Sequence, residues 1–403
     1  MFCHAVAPLL AKHRGLEDLH SRITAFLDSR LPTPLTEDDP RPDWLTLRRE
    51  AAQAGLTGLD VASSGAPWQS GRVAQGLAMF LAGRRDCDAR ELFSSGHGAM
   101  ALRHGTPDVV RQVRERVVVE GQLAGVASSE PHSGSDLGGL RTVALDHGDH
   151  LVLSGTKGLI SRVEEATGFV VFCKIVEPGA AETRDLREVP LSAVWLPMDA
   201  TGVLTETTVP LGMRGWSFGH LHLVDVRLGK DCLLAAPGDG RRIFDTHFSA
   251  WRVMMALVCL GAADAAITES AARAQARSVG RSSLASIPSV AARLGAAAAE
   301  IEAATAWCFS LLERIDQDDI DVPGCSAAKA FATDAAFRAV DLALQLHGSE
   351  GYTSRTPMEK RLRDIRGLRI ADGPNDTLYS VLAHSLMTRT SGRTAQSGVL
   401  TPR

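Results

Sequence analysis

The feature that most constrains this chain is a change of pattern near residue 122 that reverses near residue 236. Between those points the sequence runs in short segments: HLVLSG at 150–155, GFVVFCKI at 168–175, LSAVWLP at 191–197, GVLTETTV at 202–209 and HLHLVDVRL at 220–228. Gly, Pro, Asp and Glu turns separate them, and such runs read as β-strands, mostly antiparallel. On both sides the apolar spacing is helical. Residues 1–121 therefore form an N-terminal α-helical domain, broken by a Pro-rich linker at 31–43 and a loop at 55–67. Residues 122–236 form a middle β-domain. Residues 237–403 form a C-terminal α-helical bundle that ends in a loose tail from Ser391.

The bundle is expected to contain a helix at 248–277. A second is expected where Leu294, Ile301, Cys308 and Ile315 recur every seven residues, and an Ala-rich third at 327–347. The third is apolar on more than one face, as a helix buried between neighbours should be. The fold class is α+β, in the order helical, β, helical, with no internal repeat.

Bulk properties remove several function classes. The 43 basic and 47 acidic residues are mixed along the chain, so no global field draws it to DNA or an anionic membrane. The most apolar run, at 253–263, is shorter than the roughly 20 residues that span a bilayer. Seven cysteines, Cys3, Cys87, Cys173, Cys232, Cys259, Cys308 and Cys325, form no CxxC pair, which indicates reduced thiols and a cytoplasmic location. No metal-ligand spacing is found; His220 and His222 share a strand face without a third ligand.

Two stretches carry chemistry. In QLHGSEGYTSRTPMEKRLRDIRGLRIADGPNDTLY, at 345–379, Asp372 follows Leu368, Ile370 and Ala371 and precedes a Gly-Pro turn. Burial would raise its pKa and suit it to accept a proton. Taken alone, the residue more often starts a turn or caps a helix, here one beginning near Asn375. The second stretch, ASSEPHSGSDLGGLRT at 127–142, is a small-residue loop leading into the β-domain.

Together these motifs resemble, in order and spacing, the base-bearing segment and the flavin loop of acyl-CoA dehydrogenases, the second matching at Glu130, Pro131, Gly134, Ser135 and Asp136. The resemblance covers almost the whole chain. It implies FAD between the β-domain and the bundle, and oxidation of an acyl thioester, acyl-CoA or acyl carrier protein, to its enoyl form with Asp372 abstracting the α-proton. It also implies a homodimer or homotetramer and an electron acceptor that is either an electron-transfer flavoprotein or oxygen.

By the same resemblance Ser129 meets the flavin pyrimidine edge, Ser135 the pyrophosphate and Ser161 the flavin N5. Arg277, Gln345, Gly348 and Ser349 serve the dinucleotide of a neighbouring subunit, a guanidinium suiting that anion. Several positions depart from the family pattern. Leu159 replaces an aromatic wall, Val279 a Phe, Ile287 a Gln, Ser349 a second Gly, and Asp372 the usual Glu. Trp251 stands at the base position that other branches place on the first long C-terminal helix. Arg252 beside it is expected to orient the thioester or to pair with Asp372, a surface ion pair being the alternative.

Three rival readings exist. Gly215-Trp216-Ser217-Phe218-Gly219 is a literal G-x-S-x-G, but a strand pattern follows where a nucleophile elbow needs a helix. A catalytically altered FAD-binding relative could touch nucleic acid through Lys360, Arg361, Arg363, Arg366 and Arg369, though Glu359 and Asp364 among them favour ion pairs. A flavin monooxygenase of the same fold usually lacks the carboxylate base.

Overall fold

The computed structural model describes residues 4–61, 71–180 and 184–390. The later part of the expected 55–67 loop and the tail from Ser391 lie outside the described residues. Six helices come first: α1 (Val6–Lys12), α2 (Leu16–Arg30), α3 (Trp44–Gln53), α4 (Arg72–Arg85), α5 (Gly98–His104) and α6 (Pro107–Val113). Five more close the chain: α7 (Gly240–Ala276), α8 (Pro288–Ile315), α9 (Val322–His347), α10 (Pro357–Leu368) and α11 (Asn375–Thr390).

Between them lie β1 (Leu123–Ala127), β2 (Val143–Asp146), β3 (His150–Ser161), β4 (Ala166–Val176), β5 (Leu191–Pro197), β6 (Val203–Thr207) and β7 (Phe218–Gly229). They form one sheet in the order β1-β4-β2-β3-β7-β6, with β5 on the other edge of β4. β1 and β2 pair with β4 in parallel, one after the other along the same edge. The remaining pairings are antiparallel, so the sheet is mixed.

Burial explains the different writing of these strands. Val170 and Phe172 on β4, with Ala193 and Trp195 on β5, pack against Met100, Val109 and Val113 of α5 and α6. The alternate residues Phe169, Val171, Cys173, Val194 and Leu196 face Leu151, Leu153, Leu221 and Leu223 of β3 and β7. Two covered faces require a continuous apolar run, whereas β3 and β7, covered on one face, alternate.

The helices before and after the β-domain share a single core. α7 packs on α4, α8 and α9. The approach to α4 is close, because a Cβ on Gly261 would lie 2.1 Å from the Phe80 carbonyl oxygen and one on Gly83 2.1 Å from that of Val258. α7 begins at Gly240, earlier than expected, and is long and apolar enough to cross a membrane by length and composition. Nearly all of its apolar stretch is buried inside the protein, so its composition reflects burial among helices.

Candidate active site

α10 ends at Leu368, and Ile370 and Ala371 both donate backbone bonds to Gly367 O at 3.0 Å. The chain then reverses through Asp372 (φ 58°) and Gly373 (φ 109°) before α11 begins. Asp is among the few non-Gly residues that tolerate this left-handed backbone.

Side chains from α7 and α9 hold the turn. Arg252 Nε donates to the Asp372 carbonyl oxygen at 2.9 Å, and Lys329 Nζ donates to Gly373 O at 2.8 Å and to Asn375 Oδ1 at 3.1 Å. Asn375 Nδ2 reaches Ala330 O, Thr333 Oγ1 and Asp334 Oδ1 on α9, at 3.2, 3.0 and 2.9 Å. Arg252 thus touches Asp372 through the backbone, and the expected side-chain pair is not made.

The half-buried Asp372 carboxylate has no hydrogen bond or ion pair among the described residues, and it caps no helix there. Burial pushes its pKa up. Lys329, Arg252, Arg162 and Arg90 pull it back without cancelling that rise. The result is a carboxylate of raised pKa, unpaired among the described residues, on which four cations act. Trp251, one residue from Arg252, is buried against the His97 ring at 4.4 Å and cannot act as a base.

The loop after β1 is fixed by a buried carboxylate. Glu130 accepts from Arg141 N (2.7 Å), Thr142 N (2.9 Å), Thr142 Oγ1 (2.6 Å) and Lys157 Nζ (2.9 Å). Gly158 N donates to Ser129 O at 3.0 Å, which lays the loop along the end of β3 that carries Leu159 and Ser161. Ser129 and Ser161 are therefore brought to one side, while Ser135 is exposed nearby. Arg162, the residue after Ser161, is among the charges acting on Asp372, so this side and the carboxylate belong to one neighbourhood. Leu159 is 59% exposed.

Arg277, Gln345, Gly348 and Ser349 line a separate open basin of about 370 Å³, together with Arg273 and Arg293. Arg277 closes the C-terminus of α7 and has no ion pair among the described residues, whereas Arg273 bonds Glu350 at 2.7 Å and His347 O at 3.0 Å. Neither Ser129 nor Ser161 lines it, so in one subunit the expected cofactor residues fall into two groups.

Two family models match the chain: the acyl-CoA dehydrogenase middle domain over residues 125–226 and the acyl-CoA dehydrogenase C-terminal domain over 238–387. The mitochondrial short-chain specific acyl-CoA dehydrogenase of Bos taurus is 31% identical over 289 residues, 71% of this chain and 68% of that one. This protein belongs to the acyl-CoA dehydrogenase family. The fold agrees with butyryl-CoA dehydrogenase from Megasphaera elsdenii (TM-score 0.82, 20% identity, 92% of this chain and 98% of that). It also agrees with glutaryl-CoA dehydrogenase from Mycobacterium smegmatis in complex with FADH2 (TM-score 0.81, 19% identity, 94% and 95%).

As an acyl-CoA dehydrogenase the protein is a flavoenzyme of the oxidoreductase class acting on CH–CH bonds, and its cofactor is FAD. The residues present fit that group. The hydroxyl-bearing loop and the end of β3 offer Ser129 and Ser161 on joined segments, and the basin offers Arg277 and Arg293, unpaired among the described residues, for phosphates.

The competing motifs have structural explanations. Ser217 N donates to Glu165 Oε1 at 2.8 Å, its hydroxyl donates to the same carboxylate, and strand β7 follows, so it is no nucleophile elbow. Three of the four basic residues of α10 are used in ion pairs, while Arg366 is exposed and has none among the described residues. Arg361 forks onto Glu269 at 2.8 and 2.9 Å, Arg363 meets Glu359 and Glu37 at 2.8 Å, and Lys360 meets Asp86 at 2.7 Å and Asp364 at 2.8 Å. Just beyond α10, Arg369 meets Asp334 at 2.7 Å. Lys329 and Asn375 were not singled out from the sequence. The signal for Lys329 was available, as the one charge in the run SAAKAFA.

Proposed function

We propose that the protein oxidises an acyl thioester between its α and β carbons, with Asp372 as the base. The observation that carries this reading is the unpaired carboxylate of raised pKa in the turn between α10 and α11. A thioester carbonyl acidifies its α-proton, and Asp372 is suited to take that proton. The surrounding Arg252, Lys329, Arg162 and Arg90 favour the ionised base beforehand and the negative charge that develops toward the carbonyl oxygen. Arg252 sets the position of the base through its carbonyl. Ser129 and Ser161 would hold the flavin of FAD, which would supply the hydride acceptor for the β carbon.

The Arg277 basin completes the FAD site of a second copy in a homodimer or homotetramer. Its separation from Ser129 and Ser161 in one subunit supports this arrangement. The six described thiols, all free and buried, support a reducing compartment such as the cytoplasm.

The test is anaerobic mixing of the purified flavoprotein with a panel of acyl-CoA and acyl-carrier-protein thioesters, which also identifies the carrier. Wild type should lose its visible flavin absorbance. Asp372→Asn should keep FAD and bind thioester but reduce about 1,000-fold more slowly or worse. Reduction of the Asn variant at the wild-type rate overturns the assignment.

A further inference from the structure

Lys329 lies two turns into α9 and is fully buried, with 0% of its surface exposed. An ammonium is expensive to bury, and Met would fill the same space without that cost. Its three protons have two acceptors among the described residues, Gly373 O at 2.8 Å and Asn375 Oδ1 at 3.1 Å, and both are neutral. No carboxylate lies within 4.0 Å of Nζ among the described residues. Of the other buried lysines, Lys157 meets Glu130 at 2.9 Å, whereas Lys174 likewise has a carbonyl, Val189 O at 2.7 Å; the partly buried Lys360 meets Asp86 at 2.7 Å. The charge of Lys329 is spent instead on the carbonyl of the residue after Asp372.

We propose that Lys329 is a positioning residue for the dehydrogenation, fixing the turn that carries Asp372 through Gly373 and Asn375 and setting a buried ammonium next to the base. This rests on the reading of Asp372 as the base.

The groups facing Lys329 are few. From the turn come Asp372 and the neutral Asn375; from α7, Arg252 and Cys259; from α9 itself, Asp334. Burial pushes the Cys259 thiol up to about 12, so it is neutral at working pH. Burial lowers the Lys329 pKa to about 8, the largest opposing influence being Asp372. Reciprocally, Lys329 is the largest of the charges that hold Asp372 down.

The direction of the effect follows. A cation beside a carboxylate favours its charged form, so deleting the cation raises the carboxylate pKa. Asp372 acts only when ionised. The acid limb of the pH profile of kcat/KM should therefore move to higher pH when Lys329 loses its charge.

The experiment compares that profile for wild-type holoenzyme and for K329M, K329Q, K329R and N375A, using whichever acyl-CoA reduces the wild-type flavin. K329M and K329Q should shift the acid limb upward by about one unit. K329R, which keeps the charge, should leave the limb with wild type. N375A removes a tether and no charge, so it should lower the rate at every pH without moving the limb. A limb that stays in place in both K329M and K329Q overturns the proposal. If both variants lose FAD, Lys329 is structural and the proposal again falls. A wild-type limb that persists in the residual activity of Asp372→Asn would instead defeat the base assignment, so the two failures are distinguishable.

Discussion

Replacing Glu130 with Ala removes one buried carboxylate and four of its hydrogen bonds. Its side chain is 2% exposed, and its partner Lys157 is 0% exposed. Breaking a buried ion pair by deleting one member costs about 3–5 kcal/mol, because the other charge is left without compensation. The orphaned N–H groups of Arg141 and Thr142 add to this, but Arg141 lies at the surface and water can reach that end of the loop. A net loss of about 4 kcal/mol is expected, close to a 1,000-fold change in the folded-to-unfolded ratio. Urea unfolding of the holoprotein, followed by far-UV circular dichroism, should place the Glu130→Ala midpoint at least about 1 M below wild type.

Glu130→Gln keeps an acceptor without the charge and should lose about half as much. Acid provides an internal control. Burial pushes the Glu130 carboxyl up, but Lys157 and the bonds from Thr142 and Arg141 outweigh it and leave the pKa below the usual carboxylate value. The stabilisation is therefore present above the unfolded pKa, near 4.3, and is lost as pH falls through the lower folded value. The gap between wild type and Glu130→Gln should narrow as pH falls below about 4.3 and close below the lower folded value. An Ala variant that unfolds at the wild-type midpoint would refute the reasoning, since it would mean that Lys157 finds another partner at no cost.

Two further outcomes are expected. Arg277→Ala should weaken FAD binding by about 10–100-fold, the range of a lost charge-assisted hydrogen bond, as measured by recovery of flavin fluorescence on dilution, with the fold unchanged by circular dichroism. Gly261→Ala should force α4 and α7 apart at the Phe80 carbonyl and cost about 2 kcal/mol or more, seen as a lower thermal midpoint.

The order of elements was readable because each part of the chain shows its burial in its spacing. β4 and β5 read as continuous apolar runs because both of their faces are covered, and α8 shows its buried stripe at Ile301, Cys308 and Ile315. β1 and β2 were missed. LAGVA and VALD are short and weak in β-branched residues, and they become strands only because β4 offers an edge. Asp372 and the flavin loop were legible as motifs. What holds them was not: the donors to the carbonyls of Asp372 and Gly373 come from residues 252 and 329, and the lysine partner of Glu130 is 27 positions away. Pairings at such separations leave no periodic trace. Arg162 was hidden for a related reason, since nothing local distinguishes a buried Arg from a solvated one at a strand end.

The shared helical core also bears on how the chain is made. α4 ends at residue 85, and the helix it packs against starts at residue 240, 155 positions later. At about 5–20 residues per second of translation, α4 waits roughly 8–30 s for its partner to be synthesised. Throughout that interval Leu77, Phe80 and Leu81 have no α7 to cover them, whereas the strands of the β-domain already have one another. The nascent protein thus carries a folded middle beside an uncovered beginning, and during synthesis its first helices are the segment most in need of a holding chaperone.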